Sequence, residues 1–187
     1  MQQARIYFNN AGDKDKIQSV VQWGTNAWTS MENAFSGCSN LQISATDAPN
    51  LSNATNLSLM FSDATSINAP LNHWDVSTII DMSGMFSRAY AFNQPLDEWE
   101  VSEVTRMAGM FNGATSLNQS LATWDVSNVT DMTNMLDNTA LSTENYSDTL
   151  ETWSQLESLN AEVSLGALGL TYFECIQPAV KRIIKQA

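Results

Sequence analysis

VSTIIDMSGMFSRAYAFNQPLDEWE, residues 76–100, is one copy of a 25-residue repeat. The preceding LSNATNLSLMFSDATSINAPLNHWD (51–75) and the following VSEVTRMAGMFNGATSLNQSLATWD (101–125) align with it without a gap. A fourth copy, 126–140, diverges towards its end, and a first copy, 25–50, is one residue longer. A copy this short cannot bury its apolar residues alone, so self-similarity at a fixed period predicts copies that stack on one another.

Apolar residues recur at fixed positions of the repeat, which are numbered here from 1 to 25 with Val76 at position 1. Positions 7, 10, 11 and 14 are three or four residues apart, and this spacing predicts a short helix with one buried stripe. Gly84 and Gly109 keep that helix short or partly 3₁₀. QPLDEWEV, residues 94–101, predicts a short extended segment. The predicted fold is therefore an α/β repeat solenoid, a leucine-rich-repeat-like right-handed coil whose units each hold a short strand and a short helix or 3₁₀ segment.

The predicted domain organisation is one solenoid domain spanning residues 1–187. Repeats occupy 25–140, with an N-terminal cap over 1–24 and a helical C-terminal cap over 141–187, because uncovered terminal copies would expose core.

Sequence signals within the caps predict short elements. IYFNN, residues 6–10, predicts a short strand. The segment 141–158 predicts a helix with Ser142 or Thr143 as its N-cap. The buried face of this helix is predicted to hold Tyr146, Leu150, Trp153 and Leu156. Pro178 predicts the start of a last helix with Val180, Ile183 and Ile184 facing inward.

Eight of the nine methionines occupy positions 7 and 10. Flexible thioethers at those positions predict packing between copies. A metal–thioether site is the alternative, but soft-metal sites use nearby cysteine or histidine, and the one histidine is His73. Cys38 takes position 14 and is predicted to be a small core residue. Cys175 lies about four copies away, too far for a disulfide, which needs Cα atoms within about 7 Å.

Two polar columns accompany the apolar ones. They are predicted to bond the backbone of turns and of the next copy. Position 18 holds asparagine in three copies and position 2 holds serine in four: Asn68, Asn93 and Asn118; Ser52, Ser77, Ser102 and Ser127.

An acidic column stands at position 25, where each acid directly follows the tryptophan at position 24: Asp75 follows Trp74, Glu100 follows Trp99 and Asp125 follows Trp124. Stacked carboxylates about 5 Å apart repel one another. They must be solvated or neutralised, and Ca²⁺ is a cation that takes carboxylate oxygens. No calcium-loop motif is present. The column is therefore either solvated or a cation site, and no other cofactor is expected.

Charge excludes several partner classes. The chain has 20 acidic and 8 basic residues, a net charge of −12, whereas nucleic-acid binding needs clustered lysine and arginine. A bare anionic membrane is disfavoured for the same reason, and no run of 18 apolar residues predicts a membrane span. The first ten residues lack the features of a secretory signal. The protein is therefore either cytosolic or a piece of something longer.

Two segments resemble a known family: VVQWGTNAWTSMENAFSGCSNL (20–41) and WDVSNVTDMTNMLDNTALSTENYSDTLETW (124–153). They are similar to the BspA-like leucine-rich-repeat surface proteins, specifically the mycoplasma-type lipoprotein repeat, and the resemblance spans residues 17–172. It implies a leucine-rich-repeat-like solenoid, a secreted or cell-surface location, and roles in adhesion or in binding host or matrix. It carries no catalytic residues to transfer.

The leading functional hypothesis is a non-catalytic, monomeric binding module for a protein or glycan on a host or matrix surface. Its binding residues cannot be chosen from the sequence. A structural spacer rod, with or without bound cations, is the alternative. An enzyme, such as a glycosidase with two carboxylates, is disfavoured because the acids recur in solvated columns and histidine is scarce.

Overall fold

A computed structural model describes residues 5–160 and 163–183. Two parallel strands, β1 (Ser19–Val20) and β2 (Gln42–Ile43), pair with Ser19 opposite Gln42. Helix α1 spans Thr143–Ser154. A 3₁₀ turn, Glu174–Ile176, leads into helix α2, Gln177–Ile183.

The predicted leucine-rich-repeat-like solenoid of strand–helix units is wrong. Residues 51–140 form successive turns and isolated bridges, with neither a helix nor a strand. Residues 94–101 contain a turn at Asp97 and Glu98 instead of a strand, and residues 6–10 run irregularly into a turn at Asn9 and Asn10.

Left-handed backbone explains why positions 7 to 14 do not form a helix. Gly84 at position 9 has a φ of +62° and Arg88 at position 13 has a φ of +56°. A left-handed residue at every fourth place interrupts a right-handed helix. Tight turns replace it, with Met85 N donating to Met82 O at 3.1 Å. The same two positions have positive φ in every copy: Asn33, Leu59, Gly84, Gly109 and Asn134; Gly37, Asp63, Arg88, Gly113 and Asn138.

Backbone hydrogen bonds join each copy to the next. The N–H groups of Phe86 and Arg88 donate to the carbonyls of Met110 and Asn112, both at 2.8 Å. Donors at positions 7, 9, 11 and 13 point along the stack, while intervening N–H groups close turns within the copy. The backbone polar groups of this segment are therefore satisfied without regular secondary structure.

Aromatic rings form a continuous column through the core. The centroids of Phe61 and Phe86 are 5.6 Å apart, as are those of Phe86 and Phe111. The eight methionines at positions 7 and 10 are buried, which confirms their predicted packing role: Met31, Met60, Met82, Met85, Met107, Met110, Met132 and Met135.

The two cysteines are both free. Cys38 is buried in the core as predicted, and burial raises the pKa of its thiol to about 11. Cys175 is exposed.

Buried tryptophans bond backwards along the stack. Trp99 Nε1 donates to Leu71 O and Trp124 Nε1 donates to Leu96 O, both at 2.9 Å. Trp153 of helix α1 continues this pattern by donating to Leu121 O at 3.1 Å. The indole N–H of Trp74 lacks a partner among the described residues. Trp74 lies in the copy 51–75, and the copy that precedes it, 25–50, is one residue longer than the others.

Segments at both ends bond the terminal copies. Phe8 N donates to Ala34 O at 3.3 Å, and Leu136 N donates to Gly166 O at 2.8 Å. These bonds extend the backbone pattern of the stack to its first and last copies. The predicted boundaries of the caps stay a prediction. Residues 1–4, 161–162 and 184–187, which belong to the predicted caps, lie outside the described residues.

The predicted C-terminal helices are largely confirmed. Ser142 caps helix α1 by accepting from Asn145 N, and Tyr146, Leu150 and Trp153 are buried. Leu156 is half-buried just after the helix. Pro178 lies at the second residue of α2, and Val180 is buried. The Ile183 side chain and Ile184 lie outside what the structure describes.

Position 9 offers a test of the left-handed backbone. Gly109 has a φ of +60°, and a Cβ placed there would meet nothing closer than Asn112 Cβ at 3.9 Å. Gly109→Ala is therefore expected to lose about 1–2 kcal/mol of unfolding free energy through backbone strain alone. Urea denaturation measures the loss. Gly109→Asn is the control and should lose less, because asparagine tolerates this conformation. Equal losses in both variants would contradict the explanation.

Candidate binding surface

Asparagines at position 18 link neighbouring copies, as predicted. Asn68 Oδ1 accepts from Asn93 N at 2.9 Å, and Asn93 Oδ1 accepts from Asn118 N at 2.8 Å. The last member continues onto the C-terminal region, because Asn118 Oδ1 accepts from Ser142 N at 2.8 Å. The oxygen of each asparagine side chain thus accepts from a backbone N–H group, whereas the N–H groups at positions 7, 9, 11 and 13 donate to backbone carbonyls.

Glutamines at position 19 complete a row that sequence reasoning missed. Gln94 Nε2 donates to Asn68 Oδ1 at 3.1 Å, and Gln119 Nε2 donates to Asn93 Oδ1 at 3.0 Å. The signal was the Asn-Gln pair repeated in two successive copies. The five residues Asn68, Asn93, Gln94, Asn118 and Gln119 are named here the amide face.

Polar atoms of the amide face remain free on its outer side. Within the described ranges, the Nδ2 groups of Asn68, Asn93 and Asn118 donate to no protein atom, and the Oε1 atoms of both glutamines accept from none. These side chains are exposed or half-buried. The amide face therefore offers fixed donors and acceptors to solvent.

A neutralised ion pair and one aromatic residue lie in the same stretch of sequence. Arg88 Nε and Nη2 donate to the two carboxylate oxygens of Asp63 at 2.6 and 2.7 Å. The hydrogen bonds from Arg88 hold the pKa of Asp63 below its usual value. Tyr90, three residues before Asn93, is 46% exposed. Its proximity to the Arg88 guanidinium contributes to the raised pKa of Arg88, after the larger effect of Asp63.

Each acid of the column at position 25 bonds the turn with which the following copy begins. Asp75 Oδ1 accepts from Ser77 Oγ at 2.6 Å and from Ser77 N at 3.1 Å, and these bonds lower the pKa of Asp75. Glu100 and Asp125 likewise accept from the backbone N–H two residues ahead, at 3.2 and 3.0 Å. The residue type at position 25 is thus explained by turn formation.

The structure does not assemble these acids into a metal site. Across residues 5–160 and 163–183, no group of three or more acidic, histidine or cysteine side chains is placed to hold a metal ion. A bound cation at Asp75, Glu100 and Asp125 stays a prediction that this geometry does not support.

The surface around these columns has no enclosed site. No pocket opens in the part of the chain that the structure describes. None of the helices described there is long and apolar enough to cross a membrane.

Comparison with known proteins identifies a family but no characterised relative. A family model described as "Mycoplasma protein of unknown function, DUF285" matches residues 4–99 and 29–153. No curated protein and no solved structure matches the sequence.

Removing one member of the amide face tests its structural role. Asn93→Ala leaves Asn118 N and Gln119 Nε2 without this acceptor, and we expect it to lose about 1–2 kcal/mol of unfolding free energy. Denaturant unfolding measures the loss. Asn53→Ala is the matched control, since Asn53 is exposed and its side chain makes no hydrogen bond within the described residues; it should change stability by less than about 0.5 kcal/mol. Similar values for the two variants would contradict the linking role.

The Asp63–Arg88 pair predicts a pH dependence. The folded-state pKa of Asp63 is lower than the unfolded one, so its stabilisation is complete above the unfolded pKa and is lost as pH falls through the folded pKa. The stability difference between the wild type and Asp63→Asn should therefore be largest at about pH 7 and shrink below about pH 4. Urea denaturation at several pH values measures it. The control repeats the comparison in a chain that carries Arg88→Gln, where the effect of Asp63→Asn on stability should vary less with pH. The same pH dependence in both chains would contradict Arg88 as the cause of the lowered pKa of Asp63.

Proposed function

We propose a surface-binding function for this chain, which belongs to the family of Mycoplasma proteins of unknown function DUF285. The proposed module acts at the cell surface or outside the cell, as in the BspA-like surface proteins that its repeat resembles. It is non-catalytic and monomeric, and its ligand is a protein or glycan of a host or matrix surface.

One observation carries this proposal: stacked copies present equivalent exposed positions with different side chains. Asn72 and His73, Asp97 and Glu98, and Ala122 and Thr123 occupy the same places before successive tryptophans. Of these six, only Asn72 and Ala122 are half-buried, and the others are exposed. Stacked repeats use such extended surfaces for recognition, and the acidic excess disfavours nucleic acid as the partner.

The spacer role remains the second candidate, because the inter-copy hydrogen bonds and the phenylalanine column favour a stiff body. A spacer needs the same interior but no ligand. The two candidates therefore differ in what the exposed surface does.

A binding assay with the full chain separates the two functions. We expect saturable binding, at micromolar concentration or tighter, to wells coated with extracellular-matrix extract or to a glycan array. Bovine serum albumin at the same concentration is the control for nonspecific adsorption. Binding no greater than that of albumin on every surface would contradict the binding function and favour the spacer.

A further inference from the structure

We propose that the amide face binds a neutral, linear polysaccharide that lies along the direction in which the copies stack. This inference rests on the proposed binding function and deepens it by naming the surface and the ligand class. Tyr90 is assigned as the aromatic residue that packs against a sugar ring.

Preorganisation is the first reason. Each asparagine of the amide face accepts from a backbone N–H at 2.8–2.9 Å, which belongs to the next copy for Asn68 and Asn93 and to Ser142 of the C-terminal region for Asn118. Its Nδ2 group points to no protein acceptor among the described residues, and the glutamine Oε1 atoms are equally free. A ligand that bonds these atoms does not have to order their side chains first, which lowers the entropic cost of binding.

The chemistry of the free atoms favours hydroxyl groups. An amide offers two N–H donors and a carbonyl acceptor, and a hydroxyl both donates and accepts. Asn68, Asn93 and Asn118 present donors, while Gln94 and Gln119 present acceptors one position along. A sugar, with a hydroxyl on most of its carbons, can satisfy both kinds of atom.

Repetition favours a polymer over a single sugar. The amides recur once per copy, and the stacked phenylalanine rings, whose centroids are 5.6 Å apart, show the step between copies. A linear polysaccharide presents hydroxyls repeatedly along its length, so one chain can meet several copies at once. The small contributions that successive copies make to the binding free energy then add.

Charge favours a neutral ligand. None of the five residues of the amide face is ionisable, and Arg88, five residues before Asn93 in the sequence, is paired with Asp63 through two hydrogen bonds. The chain carries a net charge of −12, which repels sulfated or carboxylated glycans. A neutral polysaccharide avoids that repulsion.

Tyr90 favours a glycan over a protein partner. Protein interfaces centre on clusters of buried aromatic and apolar anchors. The amide face has polar side chains, and one exposed aromatic residue, Tyr90, lies three residues before Asn93 in the sequence. One ring with an apolar face and a polar tip suits the alternating C–H and hydroxyl surface of a sugar.

Affinity electrophoresis tests the proposal with folded, full-length chain. The gels contain galactomannan, glucomannan or dextran as neutral probes, and heparin or polygalacturonate as anionic ones. We expect at least one neutral probe to retard the wild-type chain and the anionic probes to leave its mobility unchanged. Retardation by anionic probes alone, or by no probe, would overturn the proposal.

Two matched variants locate the surface. Tyr90→Ala should weaken the interaction with the retarding polysaccharide by about tenfold, the effect of losing about 1.4 kcal/mol of stacking. Ile80→Ala is the control, because Ile80 is 42% exposed but lies at position 5 of the repeat. It should change the dissociation constant less than about twofold. Circular dichroism and thermal melts confirm that both variants fold; equal effects of the two substitutions would overturn the assignment of this surface.

The matrix-coated wells separate failure of this inference from failure of the proposed function. The wild-type chain could adhere to matrix while no neutral polysaccharide retards it. That result would overturn the amide-face proposal and leave a binding function through another surface. Adhesion that Tyr90→Ala leaves unchanged has the same meaning. No adhesion and no retardation together overturn both proposals.

Discussion

Backbone hydrogen bonds between consecutive copies are the constraint on which the rest of this structure depends. They require N–H groups at alternate residues of positions 7 to 13 to point along the stack, and a helix would turn those groups along its own axis. Left-handed residues at positions 9 and 13 redirect the chain so that the donors align. Once they are aligned, Phe86 lies over Phe61 and below Phe111. The packing of the core therefore follows from the backbone.

The same register orders the surface. Asn93 reaches the N–H of Asn118 because identical positions of neighbouring copies lie side by side. Asp63 and Arg88 pair for the same reason, both being at position 13 of successive copies. A change of side chain at one position therefore alters a contact between two copies, which lets the exposed surface vary while the interior stays the same.

The sequence was sufficient to predict the repeat, the buried columns and the linking role of Asn68, Asn93 and Asn118. It misled on secondary structure because apolar residues three and four apart suit linked turns as well as a helix. Gly84, Gly109 and the asparagines at positions 9 and 13 were the available signal, since these residues tolerate left-handed backbone. Leu59 and Arg88 obscured it. The outward arrangement of the amide face depends on which amide atoms the neighbouring copies occupy, and residue type alone cannot specify that.

The tryptophan bonds give the stack a polarity. Main-chain N–H groups at positions 7, 9, 11 and 13 donate to the copy that follows. The indole N–H of Trp99 and the main-chain N–H of Asn93 donate instead to Leu71 and Asn68 in the copy that precedes them. Loss of the copy on the C-terminal side would leave the N–H groups at positions 7, 9, 11 and 13 without acceptors. Loss of the copy on the N-terminal side would leave the carbonyls that accept those bonds without donors, and would leave an indole N–H and main-chain N–H groups such as those of Ile80 and Asn93 without acceptors. Trp74 already has that unbonded indole. The two directions of fraying, and of growth by added copies, are therefore energetically inequivalent.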